Sequence, residues 1–405
     1  MPEKLEAGKD LILKHLDEVG GELVELSHKI HGKPELGYEE YSARDWQAEL
    51  LRKHGFDVEV PYCGLETSYK ASVKISDNGP RLAFLAEYDA LPGVGHACGH
   101  NIIAASAVGA GIGLAYAMQE MQAMKEKSVA GEVLVLGTPG EEGKGGKIHL
   151  VEHGAFDGVD FAMMVHPSNQ NVIGRGGLAA QGLTVRYRGK AVHSASPEKG
   201  INALSSLIAL FNSIDMLRQV WPDTGRCNGI VTAGGQASNI VPDFAEAKFT
   251  VRAGKKKELA AMMEAIHGAA ESAARLTGAE IELSDAPLFA ERYPNRAMGE
   301  LFKANMEFLG ESIDYPNPLA RVGSSDIGNV SMVVPSIHEY LSIAGGEVLG
   351  HTDAFREAAC SPRGDRVVLL AAKGLAMTGW DLATDADKRA QVRKEFEEHA
   401  LPNRC

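Results

Sequence analysis

A chain of 405 residues, 44% hydrophobic and 23% charged, exceeds what a single hydrophobic core usually covers, so two domains are expected. Its formal net charge of −13 argues against nucleic acid or an anionic membrane as a partner. Five cysteines (Cys63, Cys98, Cys227, Cys360 and Cys405), odd in number and irregularly spaced, do not make a disulfide framework and point to a reducing, cytoplasmic compartment.

The N-terminal MPEKLEAGKD mixes charges and lacks the apolar core of a secretion signal. Over 3–31, Leu5, Ile12, Leu16, Val19, Leu23, Leu26 and Ile30 recur at helical spacing and predict a long helix stopped near Lys33-Pro34. A second helix, about 38–54, ends at Gly55 and leads into the short strand FDVEV. RLAFLAEY (81–88) is a continuous apolar run ending in polar residues, the pattern of a buried strand. A helix follows over about 100–127. Its Ala- and Gly-rich stretch IIAASAVGAGIGLAYAM is short for a membrane span, which needs roughly 20 apolar residues, and reads as a close-packed core helix. The strand EVLVLGTP (132–139), a helix near 146–153 and the strand DFAMMVHP (160–167) complete an alternation. That order predicts an α/β fold, a mostly parallel sheet with helices on both faces, with ligands beyond the carboxyl ends of the strands.

From 178 the pattern changes. LAAQGLTVRYRG, the helix INALSSLIALFNSIDMLRQV, the strands RCNGIVTAGG and FAEAKFTVRA, the helix KKKELAAMMEAIHGAAESAARL and the strand AEIELSDAP predict a small α+β domain over 178–286. Its half-exposed strands suit a sheet with helices on one face. It would interrupt a first domain made of 1–177 and 287–405, whose polar tail after Asp381 reads as a surface helix.

Four segments carry candidate chemistry. EYDALPGVGHACGHN (87–101) offers Glu87, Asp89, His96, Cys98 and His100 on a Gly-rich loop, where a thiolate and an imidazole two residues apart can face one ion. TPGEEGKGG (138–146) places Glu141 beside Glu142, so that one carboxylate can bind metal while the other handles a proton. MMVHP ends a buried strand with His166, and GGEVLGHTDAF sets His351 in a Gly-flanked loop. Taken singly, each has an ordinary structural explanation. Together, one thiol, three imidazoles and paired carboxylates at one sheet edge suit Zn²⁺ or, with more oxygen, Mn²⁺.

GHACGH, the Glu-Glu pair, VHP and GHT, in this order around an interposed domain, resemble the metallopeptidases that include aminoacylase, glutamate carboxypeptidase and the auxin-conjugate amidohydrolases (peptidase family M20). The resemblance runs from PELGYEE (34–40) through GSSDIGNVS (323–331) to GHTDAF (350–355). It is strongest to the branch of Xaa-Arg or β-alanyl-lysine dipeptidases and aminobenzoyl-glutamate hydrolases. It implies two divalent ions bridged by Cys98, with His100, Glu142, His166 and His351 as the other protein ligands. Glu141 would be the general base, and Asp89 would fix a ligand imidazole. The interposed domain would serve as lid and dimerisation domain, presenting His193, Asn239 and Arg252 to a substrate carrying a carboxylate. His193 is similar to a residue that reaches a partner subunit's active site, so a homodimer or higher homo-oligomer is implied.

The activity implied is hydrolysis of an amide in a small N-acyl amino acid or dipeptide. A deaminase releasing ammonia from a small, including aromatic, amine would use the same ligands. A non-catalytic metal or carboxylate binder would have no need of the spare Glu141. Two positions depart from the family pattern. Glu87 stands where other branches carry a metal-binding His or a shorter Asp, and stays outside the metal set. Asn101 replaces a more common Asp.

Overall fold

The computed structural model describes residues 7–124, 129–317 and 322–403. The N-terminal apolar spacing forms α1 (Ala7–Gly32), burying Ile12, Leu16, Val19, Leu23, Leu26 and Ile30 along one stripe; Leu5 lies outside the described residues. After it come α2 (Tyr41–Lys53), β1 (Asp57–Glu59), β2 (Tyr69–Lys74), β3 (Arg81–Ala86), α3 (His100–Met124), β4 (Glu132–Gly137), α4 (Gly146–Glu152) and β5 (Phe161–Ser168). The last positions expected in the α3 helix, 125–127, lie outside the described residues. The chain continues through β6 (Ala179–Arg188), α5 (Ala203–Leu217), β7 (Arg226–Ala233), β8 (Phe244–Ala253), α6 (Lys256–Thr277) and β9 (Glu280–Asp285). It ends with α7 (Arg296–Phe308), α8 (Ile327–Ser331), β10 (Ser336–Ser342), α9 (Asp353–Ala358), α10 (Pro362–Thr384) and α11 (Ala386–His399).

Contacts divide the chain into two units, one of Met1–Gly176, Tyr293–Val322 and Asn329–Cys405, the other of Gly177–Arg292 with Gly323–Gly328. The first holds a six-stranded sheet in the order β1-β2-β4-β3-β5-β10. β4, β3, β5 and β10 run parallel, whereas β1 and β2 are antiparallel additions at one edge. The strand β2 was not anticipated. YKASVK mixes Lys and Ser among its apolar residues, and only its alternating burial marks it as a strand. β3 and β4 are buried at every position after the first, as strands covered on both faces must be.

α3 is the hub of this unit, buried nearly all round against α1 and α10. It and α10 have the length and apolarity of a membrane span, but 94% and 78% of their apolar windows are buried inside the protein. Both are therefore core helices. Glycine lets α3 approach its neighbours: a Cβ on Gly109 would lie 2.6 Å from Leu23 Cδ1 and 3.0 Å from Ala372 Cβ.

The second unit folds as strand–helix–strand–strand–helix–strand into an antiparallel sheet ordered β7-β8-β6-β9. Alternate residues Leu183, Val185 and Tyr187 of β6 and Ala245 to Ala253 of β8 pack with α5 and α6 in a separate core. Period-two patterning thus places both helices on one face.

Gly109→Val is expected to wedge α1 and α10 away from α3 and to cost about 1–3 kcal/mol of stability, seen as a lowered thermal midpoint. Gly21→Ala on the open face of α1, where a Cβ would meet nothing within 4 Å, is the contrast. It should hold or raise the midpoint, since Ala favours a helix by about 1 kcal/mol over Gly.

Candidate metal centre

Because β3, β4, β5 and β10 run parallel, their carboxyl ends share one edge of the sheet. Glu87 and Asp89 follow β3 directly, Glu141 and Glu142 follow β4, and His166 lies near the end of β5. The loop carrying Cys98 turns back onto this edge. At Gly99, φ is +81° and a Cβ would sit 2.9 Å from Pro167 Cγ, so only glycine lets the GHACGH loop close on the VHP strand. His100 is then the first residue of α3, anchored by the most buried helix in the unit.

The side chains converge. Cys98, His100 and His166 offer ligand atoms within 4.8 Å of one another, as do Cys98, Glu142 and His351, and His100, Glu141 and Glu142. Cys98 Sγ is 3.4 Å from His166 Nε2, and His351 Nε2 is 3.4 Å from Glu142 Oε1. His351 has a left-handed φ of +65°, and its backbone N–H donates to Ala97 O at 2.8 Å, which ties the last loop to the first. Asp89 joins two of the segments: Oδ1 is 3.0 Å from His100 Nδ1, and Oδ2 accepts from the Glu142 backbone N–H at 2.9 Å. His100 Nε2 is thereby the nitrogen left for a ligand.

That nitrogen, Glu142 Oε1 and Glu87 Oε2 are buried and, among the described residues, have no hydrogen-bond partner. Such groups cost about 1–3 kcal/mol each when left unsatisfied. With a thiol and imidazoles beside them, they form a donor set that fits a divalent ion. Burial opposes charge on the Cys98 thiol, yet the neighbouring His166 and His100 outweigh it and bring the thiol down to about 6. The nearby Cys98, then Glu142, push His351 up to about 10. An ion entering the cluster displaces protons from these imidazoles, so its uptake strengthens as pH rises.

Several residues around this edge had no assigned role in the sequence. Glu87 and Lys147 are both fully buried and 2.5 Å apart. Glu40, at the end of PELGYEE, accepts from the Gly140 backbone N–H at 2.8 Å, just before the paired acids. Burial, then the charge of Asp89, raises its carboxyl to about 7. His338 and Tyr340 of β10 set their rings 5.3 and 5.6 Å from that of His166. His96 does not join the cluster; burial keeps it neutral, with its pKa lowered to about 3.

His193, Asn239 and Arg252 belong to the second unit. There His193 and Asn239 lie on adjoining loops, with Ser194 N–H donating to Asn239 O at 2.9 Å. His193 Nδ1 accepts from Ala195 N–H at 3.1 Å, which leaves the proton of the neutral ring on Nε2. Arg252 Nη1 donates to Ser324 Oγ at 2.7 Å. The four cysteines among the described residues are free; Cys405 lies outside them.

Residues 173–277 match the family model of a peptidase dimerisation domain. The chain is 38% identical to the Xaa-Arg dipeptidase of Mus musculus, over 97% of this chain and 93% of that protein. It is 36% identical to the Homo sapiens Xaa-Arg dipeptidase, over 94% and 90% respectively. Among solved structures, its fold is similar to a dinuclear metal-binding peptidase of the M20 family from Bacillus subtilis, with a TM-score of 0.65 and 21% identity over 91% of this chain and all of that one.

Asp89→Asn keeps the shape of the carboxylate but removes the charge that orients His100. It is expected to weaken divalent-ion binding about 10- to 100-fold, measured by competition with a chromogenic chelator. Glu40 gives a pH signature. A carboxyl held above its unfolded value of 4.5 binds its proton more tightly in the folded state. Its stabilising contribution is full below 4.5 and lost as pH rises through about 7. Glu40→Gln is therefore expected to gain stability relative to wild type between pH 5 and 8, read from thermal unfolding of the metal-free protein.

Proposed function

This chain belongs to the M20 metallopeptidase family and hydrolyses amide bonds in a metal-dependent reaction, and we propose that its substrates are dipeptides with a free carboxylate and a basic C-terminal residue, with Glu141 as the general base. The basic residue follows the Xaa-Arg dipeptidases that share more than a third of its residues. The same relatives favour amide cleavage over release of ammonia from an amine. The observation that carries the reading is the paired carboxylate at the end of β4. Glu142 is held to Asp89 through its backbone and lies beside His351, while the adjacent Glu141 shares the donor group of His100.

When bound, a divalent ion supplies Lewis acidity and brings the pKa of a water toward about 7. Glu141 takes the proton of the attacking water as its oxygen bonds to the carbonyl carbon. It then delivers that proton to the leaving amine nitrogen as the C–N bond breaks. Cys98, His100, Glu142, His166 and His351 are the metal ligands in this reading. Three overlapping groups, in which Cys98, His100 and Glu142 each occur twice, would hold two divalent ions, Mn²⁺ or Zn²⁺, with Cys98 between them as the family resemblance implies. Asp89 holds His100 in the tautomer that presents Nε2.

His193, with its proton on Nε2, is assigned to the developing oxyanion. Asn239 binds substrate and Arg252 its carboxylate, the roles that the family resemblance implies. The chain works as a homodimer. Its dimerisation-domain match is one support. The other is the edge strand β7, whose exposed Ile230 and Val231 would be an aggregation hazard if left uncovered.

The test is a mass-spectrometric screen of dipeptides and N-acyl amino acids with the Mn²⁺- or Zn²⁺-loaded protein, alongside Glu141→Gln. Cleavage of Xaa-Arg, Xaa-Lys or Xaa-ornithine into two products is expected. The variant should lose about 10²- to 10⁴-fold in kcat while metal content stays at the wild-type level. Ammonia release without a second organic product would overturn the activity. Near-wild-type turnover by a metal-loaded Glu141→Gln would overturn the role of the base.

A further inference from the structure

His100 is bracketed by two carboxylates. Asp89 takes Nδ1 at 3.0 Å, and Glu87 Oε2 lies 3.5 Å from Nε2, the nitrogen that faces the donor cluster. The two acids stand two residues apart just after β3 and both reach His100. The other oxygen of Glu87, Oε1, is 2.5 Å from Lys147 Nζ. Glu87, His100 and Lys147 are all fully buried. An ammonium therefore sits one carboxylate group away from the nitrogen that binds the ion.

Neither local structure nor stability accounts for this lysine. Lys147 occupies the first turn of α4, where free N–H groups favour acids over bases. A buried ion pair must also overcome the desolvation of both partners, and an apolar pair of the same volume commonly serves stability as well. A side chain that breaks the local preference and gains little stability is expected where function requires it.

We propose that the buried Glu87–Lys147 pair regulates the charge of the metal centre. Lys147 is a positioning residue that holds Glu87 beside His100, withdraws one of its oxygens from the ion, and keeps divalent-ion affinity below what the thiolate and carboxylates alone would give. The proposal rests on the metal-centre reading above. In a water-excluded site the added positive charge is weakly screened, so it acts on any cation bound next to His100. Glu87 contributes its charge and its position, and Lys147 sets how much of that charge the ion meets.

The test is a double-mutant cycle on the full-length protein, read as Mn²⁺ and Zn²⁺ dissociation constants from chelator competition and as metal content after dialysis. Lys147→Met is expected to bind the ion about tenfold more tightly or better, since it frees Glu87 toward the centre. Glu87→Gln, which removes the carboxylate charge beside His100 and keeps the Lys147 ammonium, should bind about 10- to 100-fold more weakly, the range of outer-layer substitutions around metal ligands. The double variant should return to within about threefold of wild type. Circular dichroism melts check folding, and Lys147→Gln, which keeps a polar contact to Glu87, replaces Lys147→Met if that variant does not fold. Constants within about twofold of wild type in both single variants, or weaker binding in the folded Lys147 variant, overturn the proposal. Wild-type protein that takes up neither ion overturns the metal-centre reading itself, which separates the two failures.

Discussion

Asp89 is the constraint on which the centre depends. Its carboxylate is shared between the His100 ring and the backbone of Glu142, two segments 42 positions apart in the chain that meet only because β3 and β4 are parallel neighbours. Both oxygens are used and the side chain is fully buried, so neither bond competes with water. Burial by itself would favour the neutral acid, but the charge and hydrogen bond of His100 outweigh it and hold Asp89 below the usual carboxylate range. An acid kept ionised in this way fixes an imidazole tautomer on one side and the backbone of Glu142, a proposed ligand, on the other.

The scaffold makes that arrangement rigid through packing. α3 begins at His100 itself and is wedged against α1 and α10, buried without a break from His100 to Ala115. Shifting His100 would require moving the best-packed helix of the unit, and tightly packed interiors resist such shifts. The glycines that let α3 sit so close to its neighbours thus act on the chemistry at one remove. Stability of the core and placement of His100 are one property of this helix.

The cluster was legible in sequence because each member sits at a readable boundary. His166 ends a buried strand, the acids follow another, and Cys98 and His100 lie among glycines before an apolar helix. Strand periodicity and the rule that parallel strands end at one edge gathered Asp89, the paired acids and His166, whereas the inclusion of His351 and the division of roles rested on the family resemblance. Glu40 was not legible, because its partner Gly140 is 100 residues away and nothing local marks one Glu of PELGYEE as buried. Lys147 reads as an ordinary charge in GKGGKIHL until the structure shows it fully buried on Glu87. β2 escaped for a related reason. Its lysines and serine dilute the alternation, and its place between β1 and β4 is fixed by pairing with distant strands. What local sequence withholds here is long-range pairing of polar groups.

Burial across the cluster is graded, and the grading divides its work. Glu87, Asp89 and His100 are fully enclosed, Glu142 is 18% exposed at its side chain, and His351 is 57% exposed. The floor is where charges act most strongly on one another, because little water screens them. It is suited to fixing how tightly an ion is held. The rim, with Glu142 and His351, is the part of the cluster that solvent reaches, and the proposed base Glu141 stands next to Glu142. The exposed side of the cluster is therefore the His351 side. Glu87 and Lys147, enclosed at the floor, could reach a bound molecule only through the electrostatics of the proposed ion site.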